Sequence, residues 1–476
     1  TIYAFAAVLT VYLAATWIGS AIYRHHLRRG APASGSTLLA LLFVASLLPL
    51  LLNDPALHAS VVVVLLSIVP ISALLGYLTP QLVDEHARGE PKSAGFAYAV
   101  NVFGCILGPL LAGYVLLPEL GVKWTLLLSA SVYPLFLLAA RPARRSLWWR
   151  GAAASGVVAL LACIFVVRTH EDPSLHENAE VRRDHVASVV SFGEGFDKRM
   201  LVNGVGITTL TPLTKVMAHL PLVMREAKPE STLVICFGMG TTFRSLASWG
   251  GRTTAVDLVP SVPAAFGYYW HDAEALLARP GVRVVVDDGR RFLKRTTERF
   301  DLITIDPPPP LEAAGSSLLY SAEFYQVLRQ RLSPTGLLAQ WFPGSFDAQD
   351  TEVVARAVVN TVAQVFPHVV VFRAYEPPHT ALHVLAANWP IVPPSPAGAI
   401  ARMPDAARRD MFEWAQDMPP EVAWQAILGQ RVELSEVLPA NPRLGITDDR
   451  PFNEYFFLRR TLVGPGTGLE NTLPAR

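Results

Sequence analysis

Glycine and aspartate residues recur between residues 236 and 306 of this chain, each time at the end of a short apolar run or just after it. The set comprises Gly238, Gly240, Asp257, Asp288, Gly289 and Asp306. Glycines allow the backbone to approach a ligand closely, and a helix that starts there offers unpaired N–H groups. A carboxylate at the end of the next strand can accept hydrogen bonds from both hydroxyls of a ribose. Each acid alone is equally explained by a cap or a turn, but the whole set predicts a nucleoside-binding cleft.

Parallel strands are the elements that would bring these residues together. Short apolar runs, interpreted as strands, cover residues 232–237, 254–258, 282–286, 301–305 and 336–341. Helices are predicted between them at 242–249, 272–277 and 322–332. Strands that alternate with helices predict an open, mostly parallel α/β sheet, which binds ligands beyond the carboxyl ends of its strands. Upstream, residues 186–191 and 199–202 predict a small β segment.

The first third of the chain has a different composition. Over all 476 residues, 51% are hydrophobic and 17% are charged, whereas soluble domains carry about 25% charged residues. Six apolar stretches cover residues 1–23, 38–52, 59–78, 96–117, 124–140 and 147–167. Most of them approach the roughly 20 residues that are needed to cross a bilayer core. We therefore predict six transmembrane helices, of which the second and fifth are short.

Charges in the predicted loops indicate an orientation. Arginine and lysine follow the first, third and fifth stretches, at positions 24, 28, 29, 88, 92, 141, 144, 145 and 150, whereas the alternate loops contain one lysine, Lys123. Positively charged loops stay in the cytoplasm, so six crossings would place everything after residue 167 on the other side. We expect an integral protein of a bacterial inner membrane with an extracytoplasmic soluble domain. Because the chain opens on Thr1, we also expect further sequence upstream.

Other features of the composition limit the partners. The formal net charge of +1 argues against a nucleic-acid partner. The three cysteines lie far apart in apolar runs, so we expect buried thiols and no metal. In the fourth stretch, Gly104 and Gly108 predict close helix packing, and Asn101 predicts an interhelical hydrogen bond.

Changes in composition divide the chain into four predicted parts. Residues 1–167 are the transmembrane helices, and residues 168–230 are the β segment and a lead helix. Residues 231–461 are the α/β domain, and residues 462–476 are a tail rich in glycine.

Motifs in this order resemble the spermidine synthase family, whose fold is that of class I methyltransferases. They are Gly238-Met239-Gly240, Val256-Asp257-Leu258, Asp287-Asp288-Gly289-Arg290, Phe300 through Asp306 and Leu319 through Tyr325. Leu201 through Gly204 and Ala218 through Pro221 are similar to the family's N-terminal segment. Residues 98–121, Ala339 through Pro343 and Thr447 through Phe452 resemble its membrane-fused branch. The resemblance spans about residues 60–460 and implies a helical membrane bundle followed by a Rossmann-like, methyltransferase-type α/β domain.

The resemblance implies a donor and residues to bind it. The donor would be decarboxylated S-adenosylmethionine, S-adenosylmethionine or a related nucleoside. The glycines would lie against the donor, with Asp257 on the ribose and Asp288 on the adenine. Asp306 is the candidate catalytic residue.

This sequence departs from the polyamine enzymes at three places where they carry acceptor-site residues. Met239 occupies the position at which those enzymes carry an aspartate between glycines. Pro309 lies three residues after Asp306, where those enzymes carry a second acid. Thr209-Leu210 and Leu213-Thr214 occupy the places of an Asp-Glu and a Tyr-His pair. A polyamine dication would be desolvated there without compensating charge, which argues against transfer to a simple polyamine. Glu312 and Glu323 are candidate replacement bases, although Glu323 is better explained as the start of a helix.

Two functional hypotheses follow. The first is a membrane transferase with an adenosyl donor and an acceptor other than a simple polyamine. The second is a non-catalytic subunit that docks in the lipid bilayer onto other membrane protein subunits, its pocket closed by Met239, Phe237 or the prolines after Asp306. A transporter is a third interpretation, which the near absence of intramembrane charge disfavours.

Overall fold

The computed structural model describes residues 2–139, 147–306, 313–342, 349–376 and 379–455. Two compact units make up this part of the chain. One is Tyr3–Val190, and the main part of the other is Ser191–Arg476. The predicted domain boundaries after residues 167 and 230 stay predictions.

Seven helices are described in the first unit. They are α1 (Ile2–Arg28), α2 (Gly35–Leu52), α3 (Val61–Ser67), α4 (Val69–Ala87), α5 (Pro91–Leu111), α6 (Leu117–Ala139) and α7 (Leu147–Phe165). Within the described residues, four helical runs are long and apolar enough to cross a membrane: Ile2–Arg28, Gly35–Leu52, Val61–Ala87 and Pro91–Ala139. Gly151–Phe165 is apolar but shorter. Long apolar helices in this third of the chain are therefore confirmed, and their insertion in a membrane stays a prediction.

The fourth and fifth predicted stretches lie in one helical run of 49 residues. A straight helix of that length would extend about 70 Å, more than twice the roughly 30 Å of a bilayer core. The run is broken at Gly121, where φ is +74°. This glycine separates the two stretches, so the number of crossings is not the number of helical runs.

Close helix packing occurs at glycines other than the predicted pair. A Cβ on Gly19 would lie 1.9 Å from the carbonyl oxygen of Ala73. A Cβ on Gly104 or Gly108 would meet nothing within 4 Å, and Asn101 is exposed. The predicted contacts of the fourth stretch are thus wrong within the described chain, because spacing alone does not reveal which face of a helix meets a neighbour.

Four short strands connect the helices to the α/β sheet. They are β1 (Glu180–Arg183), β2 (Ser188–Phe192), β3 (Arg199–Val202) and β4 (Val205–Thr209). β3 pairs with β4 in antiparallel orientation around the turn at Asn203 and Gly204. The predicted small β segment is therefore present.

The second unit contains the large sheet. Its strands are β5 (Ser231–Ile235), β6 (Arg252–Asp257), β7 (Val282–Val286), β8 (Phe300–Ile305), β9 (Leu332–Phe342), β10 (His368–Glu376), β11 (His379–Ala387) and β12 (Arg431–Val432). Their order is β12-β10-β11-β9-β8-β5-β6-β7. The five strands from β9 to β7 are parallel to one another, whereas β10, β11 and β12 add antiparallel pairs. The predicted Rossmann-like α/β fold is confirmed, with a mixed sheet.

Helices precede the sheet and connect its strands. They are α8 (Pro212–Val223), α9 (Thr241–Ala247), α10 (Ser261–Ala264), α11 (Phe266–Tyr269), α12 (Ala273–Leu277), α13 (Gly289–Arg295), α14 (Ala322–Arg331), α15 (Gln349–Val365), α16 (Pro396–Arg402), α17 (Asp405–Met411), α18 (Pro420–Leu428) and α19 (Leu434–Val437). One face of the sheet packs on buried side chains of α13, α14 and α15, among them Leu293, Phe324 and Val358. This core holds the parallel strands in register, so that their carboxyl ends form one edge.

Candidate functional site

The glycine loop joins β5 to α9. Gly238 and Gly240 both have positive φ, +53° and +79°, a conformation that L side chains rarely adopt. At Gly240 a Cβ would also lie 2.4 Å from the ring of Phe266. The loop therefore requires glycine, and its backbone turns sharply at the carboxyl end of β5, as predicted from the motif.

Asp257 ends β6 beside this loop. Its Oδ2 accepts a hydrogen bond from the backbone N–H of Phe237 at 2.7 Å, and its Oδ1 accepts one from Val259 at 2.9 Å. Asp257 thus fixes the glycine loop, and its role on a ribose stays a prediction.

Asp288 and Gly289 form the start of α13 after β7. The Asp288 Oδ1 accepts a hydrogen bond from the backbone N–H of Arg291 at 2.7 Å, which makes it the N-cap of this helix. A Cβ on Gly289 would lie 2.5 Å from Cγ2 of Ile235 on β5. The glycine therefore allows close packing of helix on strand, and the role of Asp288 on an adenine stays a prediction.

The predicted acids converge on one place at the edge of the sheet. Cys236, the residue after β5, has a thiol whose pKa is raised by desolvation and then by the negative charges of Asp257, Asp306 and Asp288. Cys236 is also a non-glycine residue with φ of +71°, a strained conformation of the kind found at functional sites. The sequence prediction that three successive strands bring acids to one edge is therefore met in the geometry.

Asp306 is the candidate catalytic residue at this edge. Its backbone N–H donates to the carbonyl oxygen of Ile235 at 3.1 Å, which continues the pairing of β8 with β5. Burial raises the pKa of its carboxyl group from 3.8 to about 7. A carboxyl group with this pKa can accept or release a proton near neutral pH.

The structure describes some of the positions at which the sequence departs from the polyamine enzymes, and one of the two candidate replacement bases. Met239 is buried, and its carbonyl oxygen accepts a hydrogen bond from the indole of Trp270 at 3.0 Å. Glu323 lies in the first turn of α14 and accepts the backbone N–H of Asp448 at 3.0 Å, which supports its predicted role as a helix start. Pro309 and Glu312 lie outside the described residues.

One arginine in the motifs has a partner that the sequence did not reveal. The guanidinium of Arg290 donates two hydrogen bonds to the carboxylate of Asp448, at 2.7 and 2.5 Å. Asp448 belongs to the distant Thr447 through Phe452 motif, so this motif holds the start of α13. An arginine in one motif and aspartates in the other were the only available signal.

A buried network of charged side chains supports the glycine loop from α17. Asp410 accepts hydrogen bonds from His219, Ser245 and Arg244, at 2.9, 2.6 and 2.7 Å, and contacts Lys215 at 3.3 Å. A cavity of about 330 Å³ lies beside it, lined by Arg244, Ser248, Asp272, Leu276, Arg279, Ala406, Arg409, Asp410 and Glu413. None of the predicted donor-binding residues lines this cavity, so we place the candidate site at the sheet edge, where the acids converge.

Metal binding has no support in the part of the chain that the structure describes. There, no group of three or more histidine, cysteine, aspartate or glutamate residues could hold an ion. The expectation of a site without metal stays a prediction.

Comparisons with known proteins agree with this geometry. A family model described as the spermine/spermidine synthase domain matches residues 211–383. A polyamine aminopropyltransferase of Sulfurisphaera tokodaii is 29% identical over 190 residues, which cover 38% of this chain and 61% of that protein. A polyamine aminopropyltransferase 2 of Pseudomonas aeruginosa is 27% identical over 176 residues, 36% of this chain and 49% of that protein.

Among solved structures, the spermidine synthase of Thermotoga maritima is 18% identical with a TM-score of 0.40, and the match covers 52% of this chain and 87% of that protein. This chain spans only 49–61% of the length of the two curated relatives. The family match begins at Thr211, after the apolar helices, so the likeness to a membrane-fused branch stays a prediction. Residues 211–383 of this chain are therefore similar to the spermine/spermidine synthase domain.

Proposed function

We propose that this protein is a membrane-anchored transferase that binds decarboxylated S-adenosylmethionine and transfers its aminopropyl group to an acceptor other than a simple polyamine. The observation that carries the proposal is the convergence of Asp257, Asp288 and Asp306 around Cys236 at the carboxyl edge of the parallel strands. The donor is that of the spermidine synthase family, whose domain model matches residues 211–383.

The chemistry places one demand on Asp306. An amine nitrogen of the acceptor attacks the aminopropyl carbon next to the sulfonium, the carbon–sulfur bond breaks, and sulfur keeps the electron pair as the neutral thioether methylthioadenosine. The attacking amine must be unprotonated, and the new ammonium releases a proton. Asp306, with a pKa of about 7, is partly ionised at neutral pH and can accept this proton.

The donor site is tested by calorimetry on the full chain in detergent micelles, with methylthioadenosine as the probe. We expect binding that Asp257→Asn weakens at least tenfold, because the change removes charge from a carboxylate that also fixes the glycine loop. Asp405→Asn, an exposed aspartate on α17, is the matched control and should bind as the wild type does. No binding by the wild type at millimolar methylthioadenosine would refute the proposal.

A non-catalytic subunit of a membrane complex is the second candidate. It is favoured by one observation, the burial of Phe237 and Met239 in the glycine loop. This candidate predicts co-purification with other membrane proteins from a mild detergent extract. Release of methylthioadenosine by the purified chain alone would contradict it.

The loop charges support an extracytoplasmic position of the domain, which would favour the second candidate, because adenosyl donors are not expected outside the cytoplasm. Alkaline phosphatase fused after residue 455 would be active in the bacterial periplasm if this is correct. Activity of a cytoplasmic reporter at the same position would contradict it and would place the domain beside the cytoplasmic donor pool.

A further inference from the structure

The aromatic side chain of Trp341 lies next to Asp306 across the sheet, and that of His383 lies next to Trp341. Ile305 of β8 pairs with Gln340 of β9, so the following residues, Asp306 and Trp341, are neighbours. Trp341 in turn pairs with His383 of β11. Residues paired across strands have side chains on the same face, roughly 5 Å apart at Cβ. Asp306, Trp341 and His383 therefore form one row.

The row faces away from the core on α13, α14 and α15. Leu382 and Val384, the neighbours of His383, belong to that core, and so does Phe342, the neighbour of Trp341. Successive side chains of a strand point to opposite faces, so Trp341 and His383 point to the other side. Ile305 also belongs to that core, and Asp306 follows it. Trp341 and His383 thus lie on the same face of the sheet as Asp306, the candidate catalytic residue.

Among the described residues, neither ring has a hydrogen-bond partner at its buried nitrogen. His383 is only 5% exposed, and its Nε2 is buried and unbonded. The Nε1 of Trp341 is also buried and unbonded. Buried polar groups are nearly always paired, and an unpaired one costs free energy that a ligand can recover. Two such groups, one beside Asp306 and one on the next strand, indicate where a ligand would bind.

We propose that Trp341 and His383 bind the non-reacting end of the acceptor, and that this end carries a hydroxyl or carboxylate group rather than a second ammonium. This inference rests on the proposed transferase function. The indole N–H of Trp341 is only a donor, and so is an ammonium group, so the two cannot bond. A hydroxyl or carboxylate oxygen accepts the hydrogen bond that the indole offers.

The charge of the row agrees with this acceptor. Burial lowers the pKa of His383 from 6.5 to about 3, so its imidazole is neutral at physiological pH. Phe372 of β10 pairs with His383 and extends the row. The row contains one carboxylate, that of Asp306, which is the candidate base. A diamine would bring a second cation to a place where this row supplies no second carboxylate.

The experiment compares three acceptors of similar length on the full chain in micelles, with decarboxylated S-adenosylmethionine as donor. The probes are 4-aminobutan-1-ol, 4-aminobutanoate and 1,4-diaminobutane, and the readout is the release of methylthioadenosine. We expect kcat/KM at least tenfold higher for one of the first two than for the diamine. An equal or higher value for the diamine would overturn the inference.

Two variants remove the unbonded ring nitrogens and retain aromatic rings. His383→Phe and Trp341→Phe should each raise KM for the preferred acceptor roughly tenfold, without lowering the unfolding midpoint, because no partner is lost. Tyr325→Phe is the matched control. Its buried hydroxyl donates to Oε1 of Gln340 at 2.6 Å on the other face, so this change should lower the midpoint and leave KM unaltered.

The outcomes separate the two proposals. Absence of methylthioadenosine binding by the wild type would refute the proposed function. Binding of methylthioadenosine together with unchanged KM in both ring variants would refute only the acceptor inference.

Discussion

The replacement Asp410→Asn tests how the glycine loop is held in place. The Asp410 carboxylate is buried and accepts from four side chains: Oδ2 from His219 and Ser245, and Oδ1 from Lys215 and Arg244. His219 Nδ1 in turn accepts from an indole N–H, so its Nε2 carries the proton given to Asp410. Because Ser245 and Arg244 lie on α9, the network connects α17 to the helix that follows Gly240.

Asparagine has one acceptor oxygen and an NH2 group in place of the second oxygen. In one orientation, His219 and Ser245 would face this NH2 group without a partner. In the other, Lys215 and Arg244 would lose their bonds to Oδ1 but keep those to Glu413. Each unpaired buried donor or lost charge-assisted bond costs about 1–3 kcal/mol, so we expect Asp410→Asn to lower the free energy of unfolding by about 2–6 kcal/mol.

The assay is urea unfolding of the full chain in detergent micelles, followed by tryptophan fluorescence. Asp405→Asn on the same helix is the matched control, since its partner Arg408 and Asp405 itself are exposed and such pairs contribute little. A loss of less than about 1 kcal/mol in Asp410→Asn, or a loss equal to that in the control, would refute the reasoning.

The pH dependence provides a second check. The hydrogen bond and charge of His219 and the charge of Lys215, among other contacts, overcome the effect of burial and lower the pKa of Asp410 below its usual 3.8. A lowered folded pKa stabilises the protein above the unfolded pKa, and this contribution is lost as pH falls through the folded value. The difference between wild type and Asp410→Asn should therefore persist between pH 5 and 8 and shrink below about pH 4.

Three further predictions concern the sheet edge. Gly240→Ala should cost about 2–4 kcal/mol, whereas Gly250→Ala, with the same φ of +79° but open space, should cost about 1 kcal/mol; equal losses by thermal unfolding would contradict the close contact. The rate of methylthioadenosine release should rise as pH increases through about 7, and this pH dependence should disappear in Asp306→Asn. The same change should stabilise the fold above pH 7, because a group whose pKa is raised in the folded state loses its stabilising contribution as pH rises through that pKa. Arg290→Lys should lose about 1 kcal/mol, since an ammonium cannot form the paired bonds to Asp448, and a double-mutant cycle with Asp448→Asn should show that the two changes are not additive.

The sequence predicted that the glycines and acids meet at one edge of the sheet, because its signals are local. Glycines and acids that follow apolar runs need only one assumption, that these runs are parallel strands, to be placed at the same edge. The described structure bears out that assumption for β5, β6, β7 and β8. Residue types alone could not separate capping from ligand binding at Asp288, because one carboxylate can do both.

Contacts between distant segments could not be predicted. Lys215 and Asp410 are 195 residues apart, and nothing near either residue indicates the other. The same holds for Arg290 and Asp448. In the first unit, the small-residue spacing at Gly104 and Gly108 indicated a packing face, but the close contact lies at Gly19.

The sequence by itself determined the apolar helices, the parallel α/β core and the convergence of acids at one edge. Hydrophobic periodicity depends on neighbouring residues, and parallel strands that alternate with helices all end at the same edge. Only the tertiary structure decided that Trp341 lies beside Asp306 and His383 beside Trp341. Their adjacency depends on the register of the antiparallel strand β11 against β9. That register is set by which side chains of β11 enter the core, and a shift of one residue would turn His383 to the opposite face.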